Sequence, residues 1–364
     1  MLVVERRVNA ELVGMLEAWY REAHREMPWR PKPGGELGDP YHALVSEAML
    51  QQTQVATVLP YFGRFMTELP TVGDLAAADE QRVLRLWQGL GYYRRARNLH
   101  AAAKAVMDEH GGVIPGTVAG LLSLPGVGPY TAGAIASIAF GIKAPIVDGN
   151  VGRVFARLSG YDQAIDGKDG KKWVWGEAER LVEECEVPGD FNQAVMELGA
   201  TVCTPKGPRC LYCPVSGVCE TLAERGADRV TELPVMMPKK KAKRVVHRVV
   251  AAERDGAWLL EQRGDGGLWA GMWQVPTLED ESVKKAVLNG WFAERFGLEL
   301  EKLERIGAFE HATTHRAIRF EVMRGRVLGG RLRRGAGVWR RLKALDDLPL
   351  AKPQLRVVGM LGEA

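Results

Sequence analysis

Four cysteines fall within one stretch of 17 residues, spaced Cys203-x6-Cys210-x2-Cys213-x5-Cys219. No other feature restricts the fold as strongly, because the backbone must wrap there if four thiols are to meet at one centre. The chain has five cysteines in 364 residues. An odd number, crowded in this way, makes a poor disulfide framework and a better metal site, which points to a reducing compartment. Four thiolates suit either zinc or a [4Fe–4S] cluster. Zinc sites usually come as two short Cys-x2-Cys pairs, and only one is present, so the spacing favours iron–sulfur and leaves zinc open. Pro205, Lys206, Pro208 and Arg209 occupy the first gap; they form a basic loop able to meet phosphate, or a plain surface turn. Cys185 stands apart and reads as a small buried hydrophobe.

A chain of this length suggests two or three domains, and its charge shows where it divides. Residues 1–238 hold 24 Lys/Arg against 29 Asp/Glu, whereas residues 239–364 hold 25 against 16. The overall +4 therefore averages an acidic part with a basic one. The break falls at Pro234-Val-Met-Met-Pro238-Lys-Lys-Lys-Ala-Lys243, which reads as a linker. We place a helical region at 1–225, the linker at 226–243 and a second domain at 244–364. Before the linker, Leu12, Met15, Leu16, Trp19 and Tyr20 recur at helical spacing, as do Leu44, Ala48 and Val55. Asp79 and Asp148 are suited to cap helices, and Gly89, Gly111 and Gly141 sit near expected helix ends. After the linker, 245–252 and 257–260 are β-rich runs joined by Asp255-Gly256, a hairpin signal. Residues 281–296 read as one amphipathic helix, and 318–327 and 337–342 as strands. The expected architecture is multidomain, an all-α part followed by an α+β domain. The longest uncharged apolar stretch, 129–142, is too short to span a bilayer. The N-terminus becomes charged too early for a secretory leader, so a cytoplasmic protein without membrane contact is expected.

Leu124-Pro-Gly126-Val127-Gly128-Pro-Tyr130 sits between two helical stretches. Two glycines two residues apart allow a tight turn, and the amides that open the next helix can hold an anion. This suits a helix–hairpin–helix that grips one DNA phosphate, although an ordinary interhelical turn has the same pattern. Upstream, Arg82, Arg85, Arg94, Arg95 and Arg97 are interleaved with Trp87, Tyr92 and Tyr93 and lack an acidic neighbour between Glu80 and Asp108. Cations and flat rings are what a nucleic-acid face needs; a solvated helix face over core aromatics is the plainer reading.

Ser46-Glu47-Ala-Met-Leu50-Gln51-Gln52-Thr53-Gln54-Val55 adds a more specific signal. Taken in order with Leu124-Pro-Gly-Val-Gly128, Val147-Asp148-Gly-Asn150-Val151 and the cysteine spacing, it resembles the MutY-type adenine DNA glycosylases of the helix–hairpin–helix superfamily, beside endonuclease III. The resemblance covers roughly residues 9–222, with a second match in the C-terminal domain. It implies a six-helix barrel module, a module bearing a [4Fe–4S] cluster on Cys203, Cys210, Cys213 and Cys219, and a Nudix-like C-terminal domain. The implied reaction removes adenine mispaired with 8-oxoguanine in duplex DNA, after the base is flipped from the stack. It also implies a monomer acting at the nucleoid.

By motif, Glu47 corresponds to the family's catalytic acid, which protonates adenine N7 and later activates water; such a group needs a raised pKa. Asp148 corresponds to the carboxylate that stabilises or captures the oxocarbenium-like sugar. Asn150 resembles the residue that positions water and sugar. Bifunctional endonuclease III-like members carry lysine at the position of Tyr130 and break the strand through a Schiff base, so tyrosine implies a monofunctional enzyme that leaves an abasic site. Gln52 resembles the wedge that fills the gap left by adenine, and Tyr92 the aromatic beside 8-oxoguanine. Arg25, Trp29, Arg30 and Gln193 match positions around the flipped base; core packing would equally explain Trp29. Gly126, Val127 and Gly128 are the phosphate hairpin. The stretch between Trp29 and Asp39 is longer than the family leads one to expect and reads as a surface loop.

In the second domain, Leu268-Trp-Ala-Gly271-Met-Trp273-Gln-Val-Pro276 resembles the Nudix-like start. Aligned on Gly297, the metal-holding positions of a working Nudix helix read Gly290, Trp291, Glu294 and Arg295. One carboxylate is too few to chelate magnesium, which disfavours nucleotide hydrolysis. The family's lesion-sensing loop, His-x-Phe-Ser/Thr-His, reads His311-Ala-Thr313-Thr314-His315 here. Thr314 and His315 match, while Thr313 replaces the phenylalanine. Two further rivals, a bifunctional pyrimidine-lesion glycosylase and a non-catalytic iron–sulfur DNA-binding protein, are opposed by Tyr130 and by the carboxylate pair respectively.

Overall fold

In the computed structural model, residues 2–238, 242–279, 287–313, 315–345 and 348–363 are described. Contacts divide the chain into two units, one of Met1–Ala77 with Asn98–Pro238, the other of Ala78–Arg97 with Lys239–Ala364. The chain begins with helices α1 (Leu2–Ala23), α2 (Pro40–Leu50), α3 (Val55–Glu68), α4 (Val72–Ala77), α5 (Glu80–Leu86) and α6 (Arg94–Glu109). It continues with α7 (Val118–Ser123), α8 (Pro129–Phe140), α9 (Gly149–Leu158), α10 (Lys168–Val182), α11 (Pro188–Thr201) and α12 (Glu220–Arg225).

Charge explains the centre of the first unit. Helix α8 carries no ionisable group other than Tyr130, and Thr131 through Ala139 are all buried. A helix apolar on every side belongs inside. Its small residues let neighbours close in: a Cβ on Gly133 would lie 2.1 Å from the Pro145 carbonyl oxygen. Helices α2 and α11 pack on α8, and α11 also meets α1 and α9. Leu16, Tyr20, Phe155, Phe191 and Leu198 fill the space between them. The expected caps form: Asp79 accepts from the Arg82 amide and Asp148 from the Val151 amide, and Gly141 ends α8 in the left-handed conformation at φ 64°. Cys185 is buried in this core, its thiol donating to the Leu181 carbonyl.

The stretch between Trp29 and Asp39 is tied down rather than free. The Gly34 amide donates to Asp190 Oδ2 at 2.7 Å, and the Gly38 amide to the Ile138 carbonyl at 2.9 Å. Asp190 is itself buried, so the loop contributes to the fold by satisfying a carboxylate that would otherwise be stranded.

In the second unit, alternating apolar residues build a sheet. Its strands are β1 (Lys243–Arg254), β2 (Ala257–Gln262), β3 (Trp273–Gln274), β4 (Thr277–Leu278), β5 (Leu298–Leu300), β6 (Glu304–Ala312), β7 (Arg316–Gly330) and β8 (Val338–Arg340). The order is β3-β2-β1-β7-β5, with β4 on β1, β6 on β7 and β8 on β2. Strands β1 and β7 run parallel from Lys243↔Arg316 to Glu253↔Arg326. The Asp255-Gly256 hairpin forms with both residues at positive φ, 53° and 73°, as a two-residue turn of this twist requires. Helix α13 (Leu288–Phe296) and helix α14 (Lys352–Glu363) complete the unit. Of the helix expected over 281–296, residues 281–286 lie outside the described residues. The strand expected at 318–327 is longer, and that at 337–342 shorter. Residues 78–97 belong to this unit: Gln81 Nε2 donates to the Gly271 carbonyl, Gln88 Oε1 accepts from the Leu350 amide, and Arg97 pairs with Glu80 and Asp265.

Candidate active site

The first unit contains a cavity of about 1330 Å³. Glu47 enters it from α2, a helix capped by Asp39, whose Oδ1 accepts from the amides of Tyr41 (2.7 Å) and His42 (2.9 Å). Glu47 is the only carboxylate on that helix and is 5% exposed. Among the described residues, its Oε2 finds no hydrogen-bond partner. Burial pushes its carboxyl up to about 7; the Tyr130 hydroxyl and the Arg30 charge pull it down, and Asp148 pushes it up. An acid poised there holds its proton near neutrality and can give it away.

Asp148 caps α9 across the cavity. Its Oδ1 accepts from the Val151 amide at 2.7 Å and its Oδ2 from Asn150 Nδ2 at 3.3 Å. Burial raises its pKa while these bonds act against the rise. Asn150 is held in turn by Arg153, whose Nη2 donates to Asn150 Oδ1 at 2.7 Å and to the Gly199 carbonyl at 2.9 Å. Arg153 Nε donates to the Cys203 carbonyl at 2.9 Å. One guanidinium thus orients Asn150 and anchors the first cysteine of the cluster motif.

A second buried carboxylate was not singled out from the sequence. Glu197, on α11, has a fully buried side chain and grips two of the predicted pocket residues. Arg25 donates to it through Nε (2.5 Å) and Nη2 (3.0 Å), and Arg30 through Nη2 (2.9 Å). Burial would raise the Glu197 pKa, but the bonds from Arg25 and the charge of Arg30 outweigh it and leave the carboxyl below its usual range. Its signal was a lone acid in the apolar run Ala194-Val-Met-Glu-Leu198, four residues after Gln193. Gln193 is 2% exposed, and its Nε2 lacks a partner among the described residues. A buried donor left open on a cavity wall is equipped to read a ligand. Trp29 serves both readings, since it lines the cavity and packs edge-on against Phe62 at 5.0 Å.

Gly126, Gly128 and Gln52 also line this cavity. Gly126 sits at φ 76°, and a Cβ there would meet the Asn98 side chain at 2.4 Å. Val127 is buried and its amide donates to the Leu124 carbonyl, so it closes the hairpin. Gln52 takes the left-handed conformation at φ 55°, as Tyr92 does at φ 50° in the second unit. Such strain in a non-glycine residue costs about 1 kcal/mol and gathers at functional sites. Tyr92 is 49% exposed. Of the arginines near it, Arg95 is buried against the Trp87 and Tyr92 rings and Arg97 is ion-paired, so these two serve the fold and do not form the solvated helix face of the plainer reading.

Cys203, Cys210, Cys213 and Cys219 line one pocket with Val154, Leu198 and Val215. Among the described residues, no three ligating side chains converge tightly enough to hold a single ion. Burial raises the thiols of Cys210 and Cys219 and lifts that of Cys213 to about 11. Unaided they stay protonated at neutral pH, and a bound cation would reverse that. Arg157, 1% exposed, braces the loop through the Cys203 sulfur (3.4 Å) and the Thr204 carbonyl (2.8 Å).

In the second unit, Thr314 lies outside the described residues. Thr313 closes the β6–β7 turn, its amide donating to the Arg316 carbonyl at 2.8 Å and its hydroxyl accepting from the Arg316 amide at 3.2 Å. The His315 carbonyl accepts from the Lys243 amide. His311 lies 5.8 Å from the Trp269 ring, and burial lowers its pKa. On α13, Arg295 pairs with buried Glu261 at 2.7 Å.

Comparison with known proteins bears on both units. Residues 45–183 match the HhH-GPD superfamily base excision DNA repair protein family, and residues 248–359 the NUDIX domain family. An adenine DNA glycosylase of Rattus norvegicus is 38% identical over 355 residues, covering 84% of this chain and 69% of that protein. One of Schizosaccharomyces pombe is 33% identical over 360 residues, covering 82% and 77%. Among solved structures, a thermostable thymine-DNA glycosylase is 28% identical with a TM-score of 0.51, covering 61% of this chain and 98% of its own. A trapped endonuclease III–DNA covalent intermediate, 24% identical at a TM-score of 0.50, shares the fold of the helical unit.

Proposed function

The chain belongs to the adenine DNA glycosylase family, and from that premise we propose that it hydrolyses the N-glycosidic bond of adenine mispaired with 8-oxoguanine or guanine in duplex DNA and stops at the abasic site. The observation that carries this reading is Glu47, a buried carboxyl poised near 7 with one oxygen unmet, facing the same cavity as Asp148. Glu47 protonates the flipped adenine at N7, which makes the base a better leaving group, and afterwards activates water. Asp148 stabilises or captures the cationic sugar, and Asn150, steadied by Arg153, sets the geometry of that carboxylate. Gln193 and the Arg25–Arg30–Glu197 group read the base, Gln52 fills the gap and Gly126–Gly128 take a phosphate. Tyr92, Thr314 and His315 are assigned to the 8-oxoguanine side.

Strand scission through a Schiff base needs an amine, and no lysine is among the described residues lining the cavity. The four cysteines suit a [4Fe–4S] cluster, which would cross-link the loop 203–219. Among the described residues, no helix is long and apolar enough to cross a membrane; the enzyme's place is with DNA at the nucleoid, as a monomer.

The test is a duplex carrying adenine opposite 8-oxoguanine, assayed with and without alkali. Breakage only after alkali is expected. Equal breakage without alkali overturns the monofunctional reading, and excision of a pyrimidine lesion with adenine untouched overturns the substrate. Iron and sulfide in equal amounts with a visible absorption band are expected of the purified protein; zinc in their place removes the cluster.

A further inference from the structure

Helix α11 carries two buried carboxylates seven residues apart, Asp190 and Glu197. Seven residues are almost two full turns, so both side chains leave the helix on one face. Both hold the same neighbouring segment of chain. Glu197 takes the side chains of Arg25 and Arg30, and Asp190 Oδ2 takes the backbone amide of Gly34 at 2.7 Å. Arg30 lies on the wall of the cavity, four residues before Gly34. The stretch around Gly34 has little else to fix it. From Pro31 to Asp39 no residue is buried, so no apolar side chain pins this loop to the core. Its local stability then rests on hydrogen bonds. Asp190 supplies one, strengthened by the charge of the acceptor. The Ile138 carbonyl supplies another, accepting from the Gly38 amide at 2.9 Å.

We propose that Asp190 is a positioning residue for base recognition: through the Gly34 amide it holds the segment that presents Arg30 to the flipped base. Asp190 is not among the residues lining the cavity, so its effect passes through the chain it holds. The platform beneath it is firm, since Asn192 Nδ2 donates to Ser137 Oγ at 2.9 Å and ties α11 to α8. The two loop anchors serve opposite ends. Gly38 precedes Asp39, the cap of the helix that carries Glu47, whereas Gly34 follows Arg30. Loss of the Asp190 bond therefore disturbs the Arg30 end and spares the Glu47 end. Capture of the base weakens while the chemical step keeps its rate.

This inference rests on the assignment of Arg30 to the base pocket of an adenine glycosylase, and the experiment separates the two. The full chain is titrated in single-turnover excision from a duplex carrying adenine opposite 8-oxoguanine. Asp190→Ala is expected to raise the half-saturating enzyme concentration about tenfold, the effect of a small misplacement, and to keep the saturating rate. Asp190→Asn retains an oxygen that can accept from the Gly34 amide and should restore the wild-type value. Gly34→Ala should act like Asp190→Ala from the loop side. Gly34 sits at φ 112°, which alanine disfavours, and open space lies where its Cβ would be. That variant leaves the core whole, so it decides the matter if Asp190→Ala folds poorly. In an Arg30→Ala background, Asp190→Ala should add nothing. Independently of activity, a glutamate-specific protease should cut after exposed Glu36 faster in Asp190→Ala and Gly34→Ala than in wild type. A half-saturating concentration unmoved by both variants overturns the proposal, even if cleavage quickens, because the anchor then serves the fold alone. A full effect of Asp190→Ala in the absence of the Arg30 guanidinium overturns it as well. A wild type that releases another base and leaves adenine untouched overturns the substrate instead, and the same titration on that duplex still tests Asp190.

Discussion

Glu197 in the first unit and Glu261 in the second are both buried against arginine, and the two sites differ in what they leave unmet. Glu197 is held by Arg25 and Arg30, with Arg30 only 9% exposed. Glu261 is 3% exposed and is held by Arg295, which remains 53% exposed. Around Glu261 the oxygens are taken, one by the Gln274 amide and the Thr277 backbone amide, the other by Arg295. Around Glu197 the cavity retains an orphan oxygen on Glu47 and an orphan donor on Gln193. A site that has chemistry left to do keeps polar groups waiting for a ligand; one that serves the fold spends its groups on each other.

Glu47→Gln tests this contrast most severely. Excision should fall by about 10²–10⁴-fold, the span of a general acid, with duplex binding retained; full turnover would show that the unmet oxygen is not the working one. Glu197→Ala should come next, because it leaves Arg25 and Arg30 uncompensated in a partly buried site. A loss of about 3–5 kcal/mol in denaturant unfolding is expected. Glu261→Ala should cost less, about 1–2 kcal/mol, since Arg295 can return to water and only neutral donors are stranded. Equal losses at the two positions would erase the difference drawn above.

Stability and pH supply a finer test. Glu47 has a folded-state pKa above its unfolded value, so its favourable contribution is complete below about 4.5 and is lost as pH rises through about 7. Above that pH the buried carboxylate burdens the fold. Glu47→Gln should therefore raise unfolding stability at pH 8 by about 2 kcal/mol while leaving pH 4 nearly unchanged. Excision by the wild type should decline over the same interval as the acid form is depleted. Smallest of all, Arg153→Ala should slow excision about tenfold by freeing Asn150, a misplacement rather than a loss of chemistry; an unchanged rate would mean Asn150 holds its position unaided.

Much of the site was legible because its signals are local. The cap at Asp148, the hairpin at Gly126 and the apolar face around Glu47 each depend on residues a few positions away, and all form as read. Glu197 was not legible, since its meaning comes from arginines 172 and 167 positions distant. Residues 78–97 read as part of the helical region, but their polar side chains find partners at Gly271 and Leu350. Arg95 and Arg97 looked available for phosphate because a sequence shows charge and not the pairing that consumes it.

The sequence by itself determined which chemical groups are present and where the backbone turns, for propensity, capping and periodicity are properties of neighbours in the chain. Only the tertiary structure decided what those groups are worth. Desolvation raises the proton affinity of Glu47, ion pairing fixes Arg25 and Arg30, and the Met196 sulfur accepts from the Tyr130 hydroxyl. Each of these depends on distances between elements far apart in sequence, and the free energy of a charge changes more with its surroundings than with its identity.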